Sequence, residues 1–346
     1  MPSVLLAQNA YCKNEFAQNS KNCAKFDFKN VTPDDQQCGK GHKPHKIKGG
    51  IHQPNCTTFY DISKLPSESI DAHTTSMAQL ITNVFENGNT KMGYAASENI
   101  GDCRGFTSGY IGFTTGTNDA YAVVQQYGKR THHNPLKRYI KALAKLSSYQ
   151  FGDPRRADTS QLKGFAQAWT KAACSDPLFV ATQLDVGHAM YLKPALKYAA
   201  SVKVKSNLGK ALFYDTIVQH GWQYVEPMIN LPRILQITGP RKKGESEQKY
   251  LTRFLTTRRQ LVCCYPGKVW NESSDRMSDL QRLVDAWDKN KDLKHPVHLE
   301  SAGVTVTGKE SIAYDTAVCR KHKKFHAFHS LPAPKDLPIP QCPNKL

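Results

Sequence analysis

No stretch of this 346-residue chain approaches the roughly 18 consecutive apolar residues of a membrane span, so no spanning helix is expected. There is no CxxC pair, which removes the usual signature of zinc-ribbon and thioredoxin-type chemistry. The opening MPSVLLAQNAYCKNEF has no basic run ahead of its short apolar stretch, so it does not read as a signal peptide. Acids are scarce, 29 against 47 Lys and Arg, giving a net charge of +18 with the histidines neutral. Such an excess suits nucleic acid or another polyanion, but no nucleic-acid-binding motif accompanies it, and no nucleic-acid partner is expected. Internal repeats are absent as well. What remains, 39% hydrophobic and 22% charged residues, is the composition of a folded globular protein.

Cysteine, by contrast, is plentiful. Six of the ten lie in the first 56 and last 28 residues, where apolar content is low and covalent staples would replace a core. Their pairing cannot be read from spacing. Cys263 and Cys264 are adjacent and are expected to bond to different partners. Three sequons, at Asn30, Asn55 and Asn271, add to the cysteines and favour a secreted protein in mature form. Basic density peaks in CGKGHKPHKIKGG (38–50) and CRKHKKFHAFH (319–329), inside the terminal extensions. The histidines there (His42, His45, His52, His322, His326, His329) read as parts of basic tails, and no metal or cofactor is expected. The expected organisation is a cysteine-rich, loop-rich extension over 1–70, a catalytic domain over 71–311, and a basic, proline-rich tail over 312–346.

Helical periodicity fills the middle. SESIDAHTTSMAQLITNVFENGN places Met77, Leu80, Ile81, Val84 and Phe85 on one stripe and ends at Asn87-Gly88, with Glu86 off the stripe. NPLKRYIKALAKLSSY gives a second helix, and SDPLFVATQLD a third with Ser175 as its cap. SNLGKALFYDTIVQHG carries Asp215 on the buried line of Leu208, Ala211 and Leu212. ESEQKYLTRFLTTRRQL carries Arg258 on the line of Tyr250, Leu251, Phe254 and Leu255. Opposite charges on two apolar faces are tolerable only as a pair, so Asp215 is expected to bind Arg258, with room for a second arginine.

One segment breaks the pattern. ENIGDCRGFTSGYIGFTTGTNDAY (98–121) holds five glycines, too many for a helix, and should fold as short antiparallel strands, the chain's one clear β region. Glu86 then ends a helix and Asp102 opens this ribbon. Two carboxylates meeting across a cleft suit glycosidic cleavage, one holding a proton and the other staying ionised.

The stretch FENGNTKMGYAASENIGDCRGFTSGYIGFTTGTND resembles the active-site segment of the family 46 glycoside hydrolases, the chitosanases. The family's EN pair, its IGDxRGxTxGxIGF strand segment and its GTxD are all present. LGKALFYDTIVQHG, GESEQKYLTRFLTTRR and Asp275-Arg276 extend the likeness, which covers roughly residues 72–310. It implies an α+β, mainly α, lysozyme-like fold of two lobes, with a small antiparallel sheet lining a long cleft. It implies endo-hydrolysis of chitosan with inversion, Glu86 as general acid and Asp102 as general base. Thr107 would help place the water and Arg104 would support the site. Asp119 would bind a glucosamine amino group, and Glu98, Tyr94, Asp185 and His220 would add substrate contacts. Asp215, Arg258 and Arg276 would form a structural network. Two departures stand out: a Glu86-to-Asp102 connection about two residues shorter than usual, and Cys103 where glycine is common. The competing readings are a glycan-binding protein that has lost turnover and a lysozyme-type peptidoglycan hydrolase. The expected partner is chitosan, the expected state a monomer, and the basic tails are expected to touch anionic cell-wall polymers.

Overall fold

The computed structural model describes residues 62–310 except 150–152, 223–227 and 268, with short pieces near the ends (12, 16–17, 20–28, 31, 319–320, 335 and 337). The basic run 38–50, most of 319–329, the sequons at Asn30 and Asn55, and most of the proline-rich end lie outside these residues. Among the described residues no helix is long and apolar enough to cross a membrane.

Helix α1, Ala72–Asn87, starts where Asp71 accepts the Thr74 N–H at 2.8 Å and stops at Gly88, whose φ of 69° a side chain would strain. A ribbon of two-residue strands follows: β1 Ser97–Glu98, β2 Thr107–Ser108 and β3 Phe113–Thr114, antiparallel in that order. Then come α2 Asp119–Arg130, α3 Ile140–Ser148, α4 Phe165–Ser175 and α5 Pro177–Gly187. A π-helical turn, His188–Leu192, leads into α6 Lys193–Ser201. There follow α7 Asn207–His220, α8 Leu231–Thr238, α9 Glu247–Cys264, α10 Asp275–Asp285 and a hairpin of β4 Val297–Leu299 with β5 Val304–Val306.

Two hydrophobic cores define two lobes. One is built by α1 and α6 to α10, with Met77, Leu80, Phe213, Tyr250 and Phe254 fully buried. The other gathers the ribbon and α2 to α5 around Phe113, Phe165, Trp169 and Phe179. The run Pro177–Ser201 passes from the second core into the first and joins the lobes. The fold is therefore mainly helical with a small antiparallel sheet, as the resemblance implied.

Three local expectations are corrected. The third helix is capped by Asp176, which accepts the Leu178 N–H at 2.9 Å, while Ser175 ends α4. Asp is the better acceptor there because its carboxylate meets the positive end of the helix. The ribbon is not the one β region, since β4 and β5 pair over three residues each, too few to show alternation. Asp119 lies on α2 and not on the ribbon.

The extensions are stapled to different lobes. Cys12 bonds to Cys263 and Cys23 to Cys264, so the adjacent cysteines do take different partners. Their bridges carry Phe16 and Phe26 into the first core. Cys174 bonds to Cys319 in the second. Cys103 is disulfide-bonded too, and its φ of 65° is the left-handed conformation glycine adopts without cost. The backbone is thus the one a glycine would give, with a cross-link in place of glycine's freedom.

Candidate active site

The ribbon's two faces differ. Register pairs Ser97 with Ser108 and Ser108 with Phe113, and Ser108 and Phe113 are buried. The other face carries Glu98, Thr107 and Thr114 in one row across the three strands. Of that row Thr114 lines a cavity of about 620 Å³ between the lobes, and Glu98 and Thr107 do not. Glycine is required where the ribbon folds back. A Cβ on Gly105 would lie 2.2 Å from Thr115 Oγ1, and one on Gly109 2.4 Å from Gln183 Oε1. Thr107 Oγ1 is buried without a hydrogen-bond partner.

Asp102 sits half-buried in the bend before β2, and its Oδ1 accepts the Arg104 N–H at 3.1 Å. The Arg104 side chain lines the cavity. From the other lobe, α1 delivers Glu86 on its last turn with a third of its side chain exposed. Arg276 Nη1 donates to Glu86 Oε1 at 2.6 Å. No donor among the described residues reaches Oε2.

Behind Glu86 the structure brings Asp215, Arg258 and Arg276 together. Asp215 accepts from Arg258 Nη1 at 2.8 Å and Arg276 Nη2 at 2.7 Å, all three nearly or fully buried. Burial opposes the Asp215 charge, but the two arginines outweigh it and hold its carboxyl below the ordinary value. Arg258 also donates to Thr216 at 3.0 Å and to Gln219. Arg276 lies 4.9 Å over the Phe85 ring.

Asp119 opens α2 and is 3% exposed. Its Oδ1 accepts from the Thr114 and Ala120 N–H groups and Thr117 Oγ1 at 2.8–2.9 Å, and its Oδ2 from Tyr191 Oη at 2.6 Å. Burial raises its pKa, and these four bonds pull the other way without cancelling it. Every one of these donors is neutral, and among the described residues no cation forms an ion pair with this acid on the cavity wall. His220 ends α7 on the same cavity, its ring 4.7 Å from Trp270, with both nitrogens buried and unpartnered. Burial, then Arg258, Arg276 and Arg104, push its pKa well below the usual histidine value. That direction favours the neutral imidazole.

Three expected contacts, Glu98, Tyr94 and Asp185, stand apart from this cavity. Tyr94 is fully buried, with its carbonyl accepting Trp169 Nε1 and Gln183 Nε2 at 3.0 Å. Asp185 is buried against Arg130 at 2.5 Å and the Lys335 N–H at 2.7 Å. Conversely, Tyr191, Gln219 and Trp222 line the cavity and were not singled out from the sequence. The signal for two of them is Pro194. It has no N–H for the Met190 carbonyl that a continuing α-helix would pair with it. Trp222 Nε1 donates to that carbonyl at 2.7 Å, and the π turn swings Tyr191 onto Asp119. Among the described residues no cluster of three His, Cys, Asp or Glu could hold a metal ion.

A model of the family described as Glycosyl hydrolase family 46 matches residues 80–297. A chitosanase from Bacillus subtilis (strain 168) is 35% identical over 232 residues, covering 65% of this chain and 80% of the relative. The native chitosanase from Bacillus subtilis MY002 superposes with a TM-score of 0.61 at 33% identity, over 69% of this chain and all of that one. A Gynuella sunshinyii family 46 chitosanase in complex with chitotetraose gives a TM-score of 0.61 at 28% identity, over 69% of this chain and 98% of that one.

Proposed function

The chain belongs to glycosyl hydrolase family 46 and is a glycoside hydrolase; from that premise we propose an endo-acting chitosanase that cleaves the β-1,4 bonds of chitosan by single displacement with inversion. The observation that carries the substrate class is Asp119, a buried acid on the cavity wall satisfied only by neutral donors. A glucosamine ammonium supplies the missing cation. An N-acetyl group does not.

In this reading Glu86 gives the proton on Oε2 to the leaving glycosidic oxygen while Arg276 fixes Oε1. Asp102 takes a proton from a water held by the free Thr107 hydroxyl. The water oxygen bonds to the anomeric carbon from the face opposite the departing sugar, which inverts its configuration. Room for that water requires carboxyl groups about 6.5–9.5 Å apart. The relatives support the substrate: a mutant of the Bacillus subtilis MY002 chitosanase was crystallised in complex with 6 GlcN. The disulfides suit work outside the cell, in an oxidising setting.

The test is reducing-end release from highly deacetylated chitosan, beside chitin and peptidoglycan, by wild type and Asp119→Asn. Chitosan hydrolysis by wild type, with a raised KM in the variant, is expected. Preferential release from chitin or peptidoglycan would transfer the assignment to a lysozyme-type enzyme. Binding of chitosan without release would mark a lectin-like protein.

A further inference from the structure

An enzyme acting on a polycation carries +18, and the terminal tails are not the sole seat of that charge. Residues 129–171 hold ten Lys and Arg against two Asp. Three of the ten serve the fold. Arg130 pairs with Asp185, Arg155 with Asp153, and Arg156 donates to the Gly116, Ser147 and Tyr149 carbonyls. The others, among them Lys137, Arg138, Lys141, Lys145, Lys163 and Lys171, remain exposed.

Folding collects three of these on one groove. Pro135, Arg138, Lys163, Gly164, Gln167 and Lys171 line an open depression of about 980 Å³ where α4 begins. It shares no residue with the interlobe cavity and has no acid in its lining. None of its three cations forms an ion pair among the described residues. The groove is also built. Arg138 lies 4.8 Å over the Tyr139 ring and donates to the Tyr139 hydroxyl at 2.7 Å. That hydroxyl donates to the Lys163 carbonyl at 2.9 Å. A Cβ on Gly164 would press within 3.2 Å of the Tyr139 hydroxyl and 3.3 Å of Arg138, so a bare glycine keeps the floor open. Gly164 also gives α4 no side-chain cap, which adds the positive helix end to the same field.

We propose that this groove binds an acidic polysaccharide, with carboxylates of the polymer on Arg138, Lys163 and Lys171, and holds the enzyme on a polyanionic matrix while the interlobe cavity works on another chain. Chitosan itself is excluded as the occupant because its ammonium groups are repelled. Nucleic acid fits less well. Single strands are held by aromatic faces on which bases stack, and no aromatic side chain lines this groove, the neighbouring Tyr139 being buried. The apolar wall, from Pro135, Ala168 and the lysine stems, suits the C–H faces of sugar rings.

The experiment measures affinity of the full chain for polygalacturonate at low ionic strength. One triple variant carries Arg138→Gln, Lys163→Gln and Lys171→Gln. Its charge-matched control carries Lys243→Gln, Lys249→Gln and Lys289→Gln, three exposed positions outside the groove. The groove triple is expected to bind at least about tenfold more weakly and to show a shallower salt dependence, with the control within about twofold of wild type. Both should hydrolyse soluble chitosan at the wild-type rate. Equal weakening in the two triples would reduce the effect to net charge and overturn the site, as would no measurable binding by wild type. Duplex DNA displacing polygalacturonate at lower phosphate than carboxylate concentration would make the groove a nucleic-acid surface instead.

Discussion

Arg276 holds Glu86 and, through its other nitrogens, Asp215, so one side chain joins the proposed acid to a buried charge network. The two carboxylates it joins differ in burial. Glu86 is one-third exposed and Asp215 is 1% exposed. They should therefore fail differently when neutralised.

Glu86→Gln keeps an oxygen for Arg276 and removes the proton donor. The expected kcat on chitosan falls by about 10²–10⁴-fold, the usual range for a general acid. The pair is partly solvated, so unfolding free energy should change by less than about 1 kcal/mol. Reducing-end assays and a urea titration read the two quantities. Retained turnover would remove Glu86 from the mechanism.

Asp215→Ala should show the reverse emphasis. It strands Arg258 without a counter-charge inside the first core, at a cost of about 3–5 kcal/mol. The wild-type contribution has a defined pH sign. The folded carboxyl titrates below its ordinary value of 3.8, so the stabilisation is full above that value and fades as acid brings the pH through the folded pKa. The variant should thus lose most stability at neutral pH and converge on wild type in strong acid. Equal urea midpoints at pH 7 would count against the network.

The Asp215–Arg258 pair was legible because each charge sits on an apolar line of its own helix, and burial then demands a partner. Asp71, the acceptor that starts α1, was not singled out, whereas the stop of α1 was legible as Asn87-Gly88. The start of α2 was not. Asn118 enters it at φ 81° and makes no side-chain cap bond, so the usual signal is missing and Asp119 reads as part of the ribbon. Tyr191 was hidden because a π turn inserts a residue into the 3.6 period. The basic groove was hidden because its cations are spread over more than thirty residues and meet only in space. The close match to a family motif carried the roles of Glu86 and Asp102, which spacing alone could not.

Trp222→Phe tests the joint between Pro194 and the cavity. Phenylalanine preserves the packing and removes the one side-chain donor to the Met190 carbonyl. A buried carbonyl left unpaired costs about 1–3 kcal/mol. The π turn should relax as well, loosening Tyr191 from Asp119, so KM for chitosan should rise by about three- to tenfold with kcat less affected. Thermal unfolding and steady-state kinetics together check this. Unchanged stability would show that Met190 finds another donor.

His220 offers a pH-dependence of the same sign as that of the paired carboxylate Asp215, stability being lost in acid, but in a higher pH window. In the folded chain its pKa is held well below 6.5, first by burial and then by Arg258, Arg276 and Arg104. The unfolded chain takes up a proton near 6.5 that the folded chain refuses. Stability must therefore fall as pH drops below that value, by at most about 2 kcal/mol between pH 7 and pH 5 for this one residue. His220→Phe can still stack on Trp270 and removes both unpartnered nitrogens, so its stability at pH 7 should match or exceed wild type. Between pH 7 and pH 5 its curve should be flatter than wild type by that same amount. A neutral ring beside Arg104 also spares an incoming polycation one more repulsion, which matters where chitosan is most protonated. Parallel stability curves for the two proteins over this window would show that the imidazole is charged in the fold, and the cavity would then carry a cation where the proposed substrate needs none.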